Sequence, residues 1–224
     1  MRTDINANTA PVAVPGLRRR SLLAMVAIAA VPLGRRAHAE AAPADAIATI
    51  RHFNEALLAA SKAGRETDFS RRFQALAPAV DQVFDLRAVL AVSVGPSWTS
   101  LSPDQQSRLL DAFRSYTVAS YVANFDSFAG QSFTVAPDMR SLDAGRLVVQ
   151  SRIAPISGNA IELDYVMKET PSGWKAVDVL AEGSISRVAV QRSDFRHVLS
   201  SGGGDALLAS LQRKTSDLSG GALA

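Results

Sequence analysis

The 224-residue chain contains no cysteine, which excludes disulfides, thiol nucleophiles and thiolate-bound metals together. Histidine is nearly as scarce: there are three, and His38 falls in a segment read below as a removable leader. His52 and His197 remain. Each stands alone on a helix-patterned stretch, without the neighbouring bases or ligands that proton transfer or metal binding requires. The apolar run Leu22–Leu33 is about a dozen residues long, well short of the ~20 needed to cross a bilayer. No G-x-S-x-G elbow occurs, because Gly95-Pro96-Ser97 meets Thr99 at the fifth position. No phosphate-cradling loop occurs either. Gly202-Gly203-Gly204 follows a helical pattern instead of a strand and carries no lysine, so it reads as a linker. Ser172-Gly173-Trp174-Lys175 matches the S-x-x-K of penicillin-recognising enzymes, yet it straddles a turn and a strand where that chemistry needs a helix. Ser193-Asp194 is followed by Phe195, not asparagine, and Lys214-Thr215 by Ser216, not glycine.

The excess of basic residues belongs to the first 39 positions. There Arg18-Arg19-Arg20 precede the apolar run, and Ala37-His38-Ala39 supplies the small-x-small pattern that places cleavage before Glu40. Arg19-Arg20-Ser21-Leu22-Leu23 fits the twin-arginine export pattern, with a general-secretion signal as the alternative. This leader takes six of the 24 basic residues and one of the 21 acidic ones, which leaves the mature chain two negative charges in excess. A nucleic-acid-binding reading loses its support, and no polycationic run remains to hold a membrane surface. Residues 40–224 are long enough to form one domain with a proper core.

The first half of the mature chain carries helical periodicity. The spacing predicts a helix from an Asp45 N-cap to Gly64, with Ile47, Ile50, Asn54, Leu57 and Leu58 on one stripe. A second helical stretch carries Phe69, Phe73, Leu76, Val80, Val83 and Phe84, kinked or split at Pro78 and closed by Gly95-Pro96. Ser102, Pro103 and Gln105 form a capping box for a third, with Leu109, Leu110, Phe113, Tyr116, Thr117, Ser120 and Tyr121 along its stripe. The period then falls to two. Phe133 and Val135 mark one strand. Leu147, Val149 and Ile153 alternate with Val148, Gln150 and Arg152 on the next. Ile161, Leu163, Tyr165 and Met167 alternate with Glu162, Asp164, Val166 and Lys168 on a third. A fourth sets Val177 and Val179 on one face and Asp178, with Trp174, on the other. Ser157-Gly158-Asn159 and Pro171-Ser172-Gly173 read as hairpin turns, and helical pattern resumes after Ser186. The class is α+β, with N-terminal helices packed on one face of an antiparallel sheet. Glu162, Asp164 and Asp178 then form its solvated reverse face, where a hydrated carboxylate pair is the simpler reading than an acid–base or metal site.

A large apolar inventory faces the space between helices and sheet, and residue pattern alone leaves a filled core and a cavity equally open. At this point the order and wording of the segments become informative. The segment Phe84–Tyr121, with Gly95, Trp98, Pro103 and Gln106, and the run Trp174, Lys175, Asp178, Val179, Glu182, Gly183, Ser186, Arg192 and Phe195, resemble the MlaC/toluene-tolerance family of periplasmic lipid carriers, auxiliary components of a lipid-transporting ABC system. The resemblance extends from about Phe84 to Lys214. Ala189-Val190-Gln191 stands where the family commonly carries Asn-Tyr before Arg192; with the twin-arginine-like leader, this is similar to the hopanoid-associated HpnM branch.

The resemblance implies a cone-like (NTF2-like) fold whose curved sheet and covering helices enclose an apolar pocket for acyl chains. Under it, Phe84, Val94, Trp98, Tyr116, Tyr121, Val149, Ile153, Tyr165, Val177 and Val179 become candidate lipid-lining residues. It also implies a periplasmic shuttle without catalytic activity or cofactor, which carries phospholipid, or a hopanoid-type lipid, between an inner-membrane transport complex and an outer-membrane lipoprotein–porin complex and so serves outer-membrane lipid asymmetry. A monomer is expected. Asp178 and Glu182 are expected to hold a turn and the sheet edge, with Arg187 as a partner. A small hydrolase using the same pocket, and an interaction module with a filled core, are the competing classes.

Overall fold

A computed structural model describes residues 42–223; the leader expected over 1–39 lies outside the described residues. Four helices come first: α1 (Pro43–Ala63), α2 (Phe69–Val83), α3 (Leu86–Val94) and α4 (Pro103–Asn124). The strands β1 (Ser132–Ser141), β2 (Arg146–Ala154), β3 (Ile161–Thr170), β4 (Gly173–Ala181) and β5 (Ile185–Ser186) follow, and α5 (Arg187–Ser219) ends the order. The strands form one antiparallel meander in which each pairs with the next. The change of hydrophobic period therefore marked the change of architecture, and the class is α+β.

Local chemistry accounts for the helix boundaries, in three places against expectation. Asp45 is not the cap of α1. Pro43 starts the helix two residues earlier, with Ala42 at the cap position and no side-chain cap; a first-turn proline needs no N–H partner and carries a helical φ already. Pro78 neither splits nor ends α2, which runs unbroken from Phe69 to Val83 while Leu76, Ala77 and Val80 hold it in the core. The break falls at Phe84, whose backbone is extended and bridges to Ala176 of β4. Asp85 donates its N–H to Ala176 O at 3.1 Å and caps α3 by accepting from Ala88 N at 2.9 Å. The sheet thus supplies a stronger interruption than proline does. The capping box of α4 is present, with Ser102 Oγ on Gln105 N and Gln105 Oε1 on Ser102 N. Gly202–Gly204, read as a linker, is a kink inside α5: Gly203 sits at φ 65° and ψ −155°, a conformation that demands glycine.

Buried polar groups tie the layers together. The Arg72 side chain, 7% exposed, donates to Thr67 O and to Val122 O, both at 3.0 Å. Val122 lies in the last turn of α4, where carbonyls lack helical partners. Lys175 of β4 performs the same service for α2, donating to Asp81 O and Gln82 O at 3.2 and 2.5 Å. This contact holds the lysine of the S-x-x-K coincidence on the end of α2. Asn54 on α1 donates to Ser151 of β2 at 3.0 Å, both side chains being buried.

Candidate functional site

The sheet face that meets the helices is set by register. Met139, Val149, Tyr165 and Val179 form one row across four strands. Val149 and Tyr165 are fully buried, and all four pack into the core shared with α1, α2, α3 and α4. A bulge then reverses β4. Val166 pairs with Asp178 while Met167 pairs with Ala176, which leaves Val177 as the extra residue. An extra residue swaps the faces of everything beyond it. Trp174 and Ala176 therefore face the helices on one side of the bulge and Val179 on the other. The expectation that Val177 shares the inner face with Val179, and Trp174 the outer face with Asp178, fails for this reason. Trp174 is buried and donates its indole N–H to Ala42 O at 3.2 Å, whereas Val177 is half-buried and outside the packed core.

Aromatic rings occupy the layer between sheet and helices. Phe53 of α1 meets Tyr121 of α4 at 5.1 Å, Phe84 at 5.6 Å and Tyr165 of β3 at 6.2 Å, each edge-on. Phe84 also contacts Tyr121 and Tyr165 at 5.8 and 6.5 Å. From Tyr121 a ladder continues through Phe125 (6.1 Å) to Phe133 of β1 (6.0 Å beyond). It leads toward the end of the sheet where Phe133, Ile153 and Ile161 pair across three strands. Exposure rises at that end. Tyr165 and Met167 are fully buried, yet Ile161, on the same face of β3, is 54% exposed, and Ile185, in the row of Leu163 and Ala181, is 48% exposed.

Of the residues expected to line a pocket, the structure brings Phe84, Tyr121 and Tyr165 into mutual contact, with Val149 and Val179 flanking Tyr165 and Ile153 nearer the open end. Val94, Trp98 and Tyr116 pack into the same core from the helical side. Trp98 lies under the Arg87 guanidinium and Tyr116 under the Lys214 ammonium. Phe53, the hub of the ring cluster, was missed, although its spacing from Ile50 and Leu57 places it on the α1 stripe. Phe125, one turn beyond Tyr121, was missed too. These rings stand at contact spacings in the layer where the resemblance implies a pocket. Two open concavities lie elsewhere. One of about 680 Å³ runs between α4 and the second half of α5, lined by Arg108, Asp111, Ser115, Leu208, Gln212 and Arg213. One of about 280 Å³ lies beside Gln150, Arg152, Glu162 and Asp164, where the β1 ladder is interrupted between Val135 and Met139.

Burial pushes the phenols of Tyr121 and Tyr165 up from their ordinary range; the Arg187 charge opposes this at Tyr121, and Tyr121 adds to it at Tyr165. The Tyr165 hydroxyl is buried without a hydrogen-bond partner among the described residues.

The carboxylates divide into three kinds. Asp178 accepts from Ser186 Oγ at 2.5 Å, Val179 N at 2.7 Å and Val188 N at 3.1 Å, so it clamps β4 to the start of α5. Its expected pairing with Arg187 is not formed among the described residues. Glu162 is exposed and pairs with Arg152 at 2.7 Å. Asp164 is not part of a solvated skin: it is 4% exposed. Desolvation raises its pKa, with the Gln150 hydrogen bond and Arg140 opposing and Glu162 adding to the shift. Glu182 holds a positive φ of 53° in the β4–β5 turn and donates its N–H to Glu162 O. His52 contacts Glu55 on the surface, and His197 is exposed.

A solved structure of a phospholipid-binding protein from Ralstonia solanacearum, in complex with a phospholipid, has the same fold. It aligns with a TM-score of 0.67 at 24% sequence identity, over 77% of this chain and 98% of that one. The family described as MlaC protein matches residues 51–213, a span that holds the ring cluster, the whole meander and the Asp178 clamp. The chain belongs to the MlaC family.

Proposed function

We propose that the chain is a lipid carrier without catalytic activity, which takes acyl chains into the layer between the sheet's inner face and the helices. The observation that carries this reading is the continuous apolar path. It begins at the Phe53–Phe84–Tyr121–Tyr165 cluster, follows Phe125 and Phe133, and ends at Ile161 and Ile185 in solvent. Family membership and the phospholipid held by the Ralstonia protein of the same fold support it. Each methylene withdrawn from water contributes about 0.8 kcal/mol, so two acyl chains would expose roughly 25 kcal/mol if they crossed water unshielded. A ring-lined layer of bilayer-like polarity nearly cancels that term, and transfer then needs little net driving force.

Rings that now touch must part to admit a chain. Aromatic contacts of this kind contribute about 0.5–1.5 kcal/mol each beyond burial, small beside the gain from an acyl chain. The head group stays at the open end. In this reading the mature protein, residues 40–224, works in the periplasm after cleavage of its leader, as a monomer, and exchanges phospholipid with inner- and outer-membrane complexes. Gentle purification, solvent extraction and mass spectrometry test it. Stoichiometric lipid is expected, and its mass separates a two-chain phospholipid from a polycyclic hopanoid. Protein that carries no lipid and takes up none from vesicles would remove the carrier reading.

A further inference from the structure

The Tyr165 hydroxyl is a donor with nothing to donate to. The residue is 0% exposed and its oxygen has no hydrogen-bond partner among the described residues. Buried polar groups without partners are rare because each forfeits its hydration. Ser61 Oγ shares this condition, but Ser61 lies on α1, where a hydroxyl meets the carbonyl four residues back by simple rotation, as Ser93, Thr117 and Ser120 do. Tyr165 forms no hydrogen bond among the described residues even with Tyr121, whose phenol is close enough to act on it electrostatically. The Tyr165 ring is held between Phe53 and Phe84, and the residues beside it on the sheet face are Val149 and Val179, neither of which offers a side-chain acceptor. A phenylalanine would fill the same space without the penalty.

We propose that Tyr165 is a polar anchor inside the lipid layer, whose O–H donates to an ester carbonyl oxygen of the bound lipid. This rests on the carrier reading above and narrows its ligand to acyl esters. The chemistry selects the group. The hydroxyl needs an acceptor. A phosphate loses too much hydration to enter an apolar layer, whereas a neutral carbonyl follows the chain it belongs to. The anchor then fixes how deep the lipid sits.

The test compares wild type with Tyr165→Phe, both delipidated, for binding of dipalmitoyl phosphatidylglycerol and of its dihexadecyl ether counterpart, which lacks both carbonyls. Wild type is expected to prefer the ester by about 3- to 10-fold, the range of one net hydrogen bond. The variant is expected to bind both lipids as wild type binds the ether. Its delipidated melting temperature should equal or exceed that of wild type, because an unsatisfied group has been removed. Equal affinity of wild type for ester and ether, or a preference that survives in Tyr165→Phe, overturns the anchor and leaves the carrier standing. A melting temperature lowered by the variant also overturns it, since the hydroxyl would then have a partner in the free protein. Wild type that binds neither lipid overturns the carrier reading itself.

Discussion

If the acyl chain occupies the space now filled by rings, truncating the central ring has opposite consequences in empty and loaded protein. Phe53 is the residue to cut: it is 2% exposed and meets three other rings within 6.2 Å. Phe53→Ala in the delipidated protein loses the ring's burial and leaves a cavity, together about 3–5 kcal/mol; three edge-on contacts of about 0.5–1.5 kcal/mol each favour the upper end. With a urea slope of about 2–3 kcal/mol/M, the unfolding midpoint should fall by roughly 1.5–2 M. In loaded protein an acyl chain fills that cavity, and the parting of the rings has already been accomplished by the mutation. Part of the loss is then recovered, and by linkage the variant binds lipid more tightly. A recovery of about 1.4 kcal/mol corresponds to tenfold in affinity. Urea titrations of empty and loaded protein, with vesicle competition for the affinity, give both quantities independently. Equal midpoint shifts in the two states, with unchanged affinity, would show that the lipid does not enter this layer.

The carboxylates and the buried cation yield further tests. Asp178→Ala should cost about 2–4 kcal/mol, because three donors lose an ionised acceptor, and Asp178→Asn about half as much. Denaturation reads the loss, while the folded fraction keeps its full complement of lipid. Arg72→Ala leaves the Thr67 and Val122 carbonyls unpartnered and should cost about 2–3 kcal/mol, read as a melting temperature lower by roughly 5–10 °C. Asp164 gives a pH dependence of defined sign. Its folded pKa lies above the unfolded value of 3.8, so the unfolded chain loses this proton first as pH rises. Its contribution to stability therefore falls from pH 3.8 up to the folded pKa. Asp164→Asn should remove that decline, making the variant more stable relative to wild type at neutral pH than at pH 3, as paired thermal melts will show.

Much of the fold was legible because local chemistry and tertiary structure agree over most of the chain. The capping box at Ser102 and Gln105, the two glycine-bearing hairpin turns and the drop to period two are short-range signals, and each element they announce is present. The misreadings have different origins. Pro78 should interrupt α2, but buried Leu76, Ala77 and Val80 hold the helix through it, and the interruption comes from Ala176, more than ninety residues away. Strict alternation along β4 failed because a bulge has no marker of its own in Ala176-Val177-Asp178. The glycines at 202–204 announce a break in pattern without saying whether the chain merely bends.

The site was less legible, for a reason that belongs to apolar packing itself. Side chains that fill a core and side chains that line a lipid pocket obey the same periodicity and the same burial, so Phe84, Tyr165 and Val179 satisfied both descriptions in sequence. Even in three dimensions the closed layer resembles an ordinary core, since its rings stand at ordinary aromatic spacings. What separates the two is misfit. A layer selected only for stability would carry no tyrosine whose hydroxyl finds no acceptor, and its inner face would end where the helices end. Here the hydroxyl of Tyr165 is stranded and Ile161 and Ile185 carry the apolar face out into water. Both features oppose stability in the empty protein, and both are relieved if a lipid ester completes the layer. A polar residue at an otherwise apolar position of a buried stripe, as Tyr165 is between Leu163 and Met167, is therefore the sequence signal worth weighing. Tyr165 stands among the candidate lining residues by its position alone, its hydroxyl unweighed.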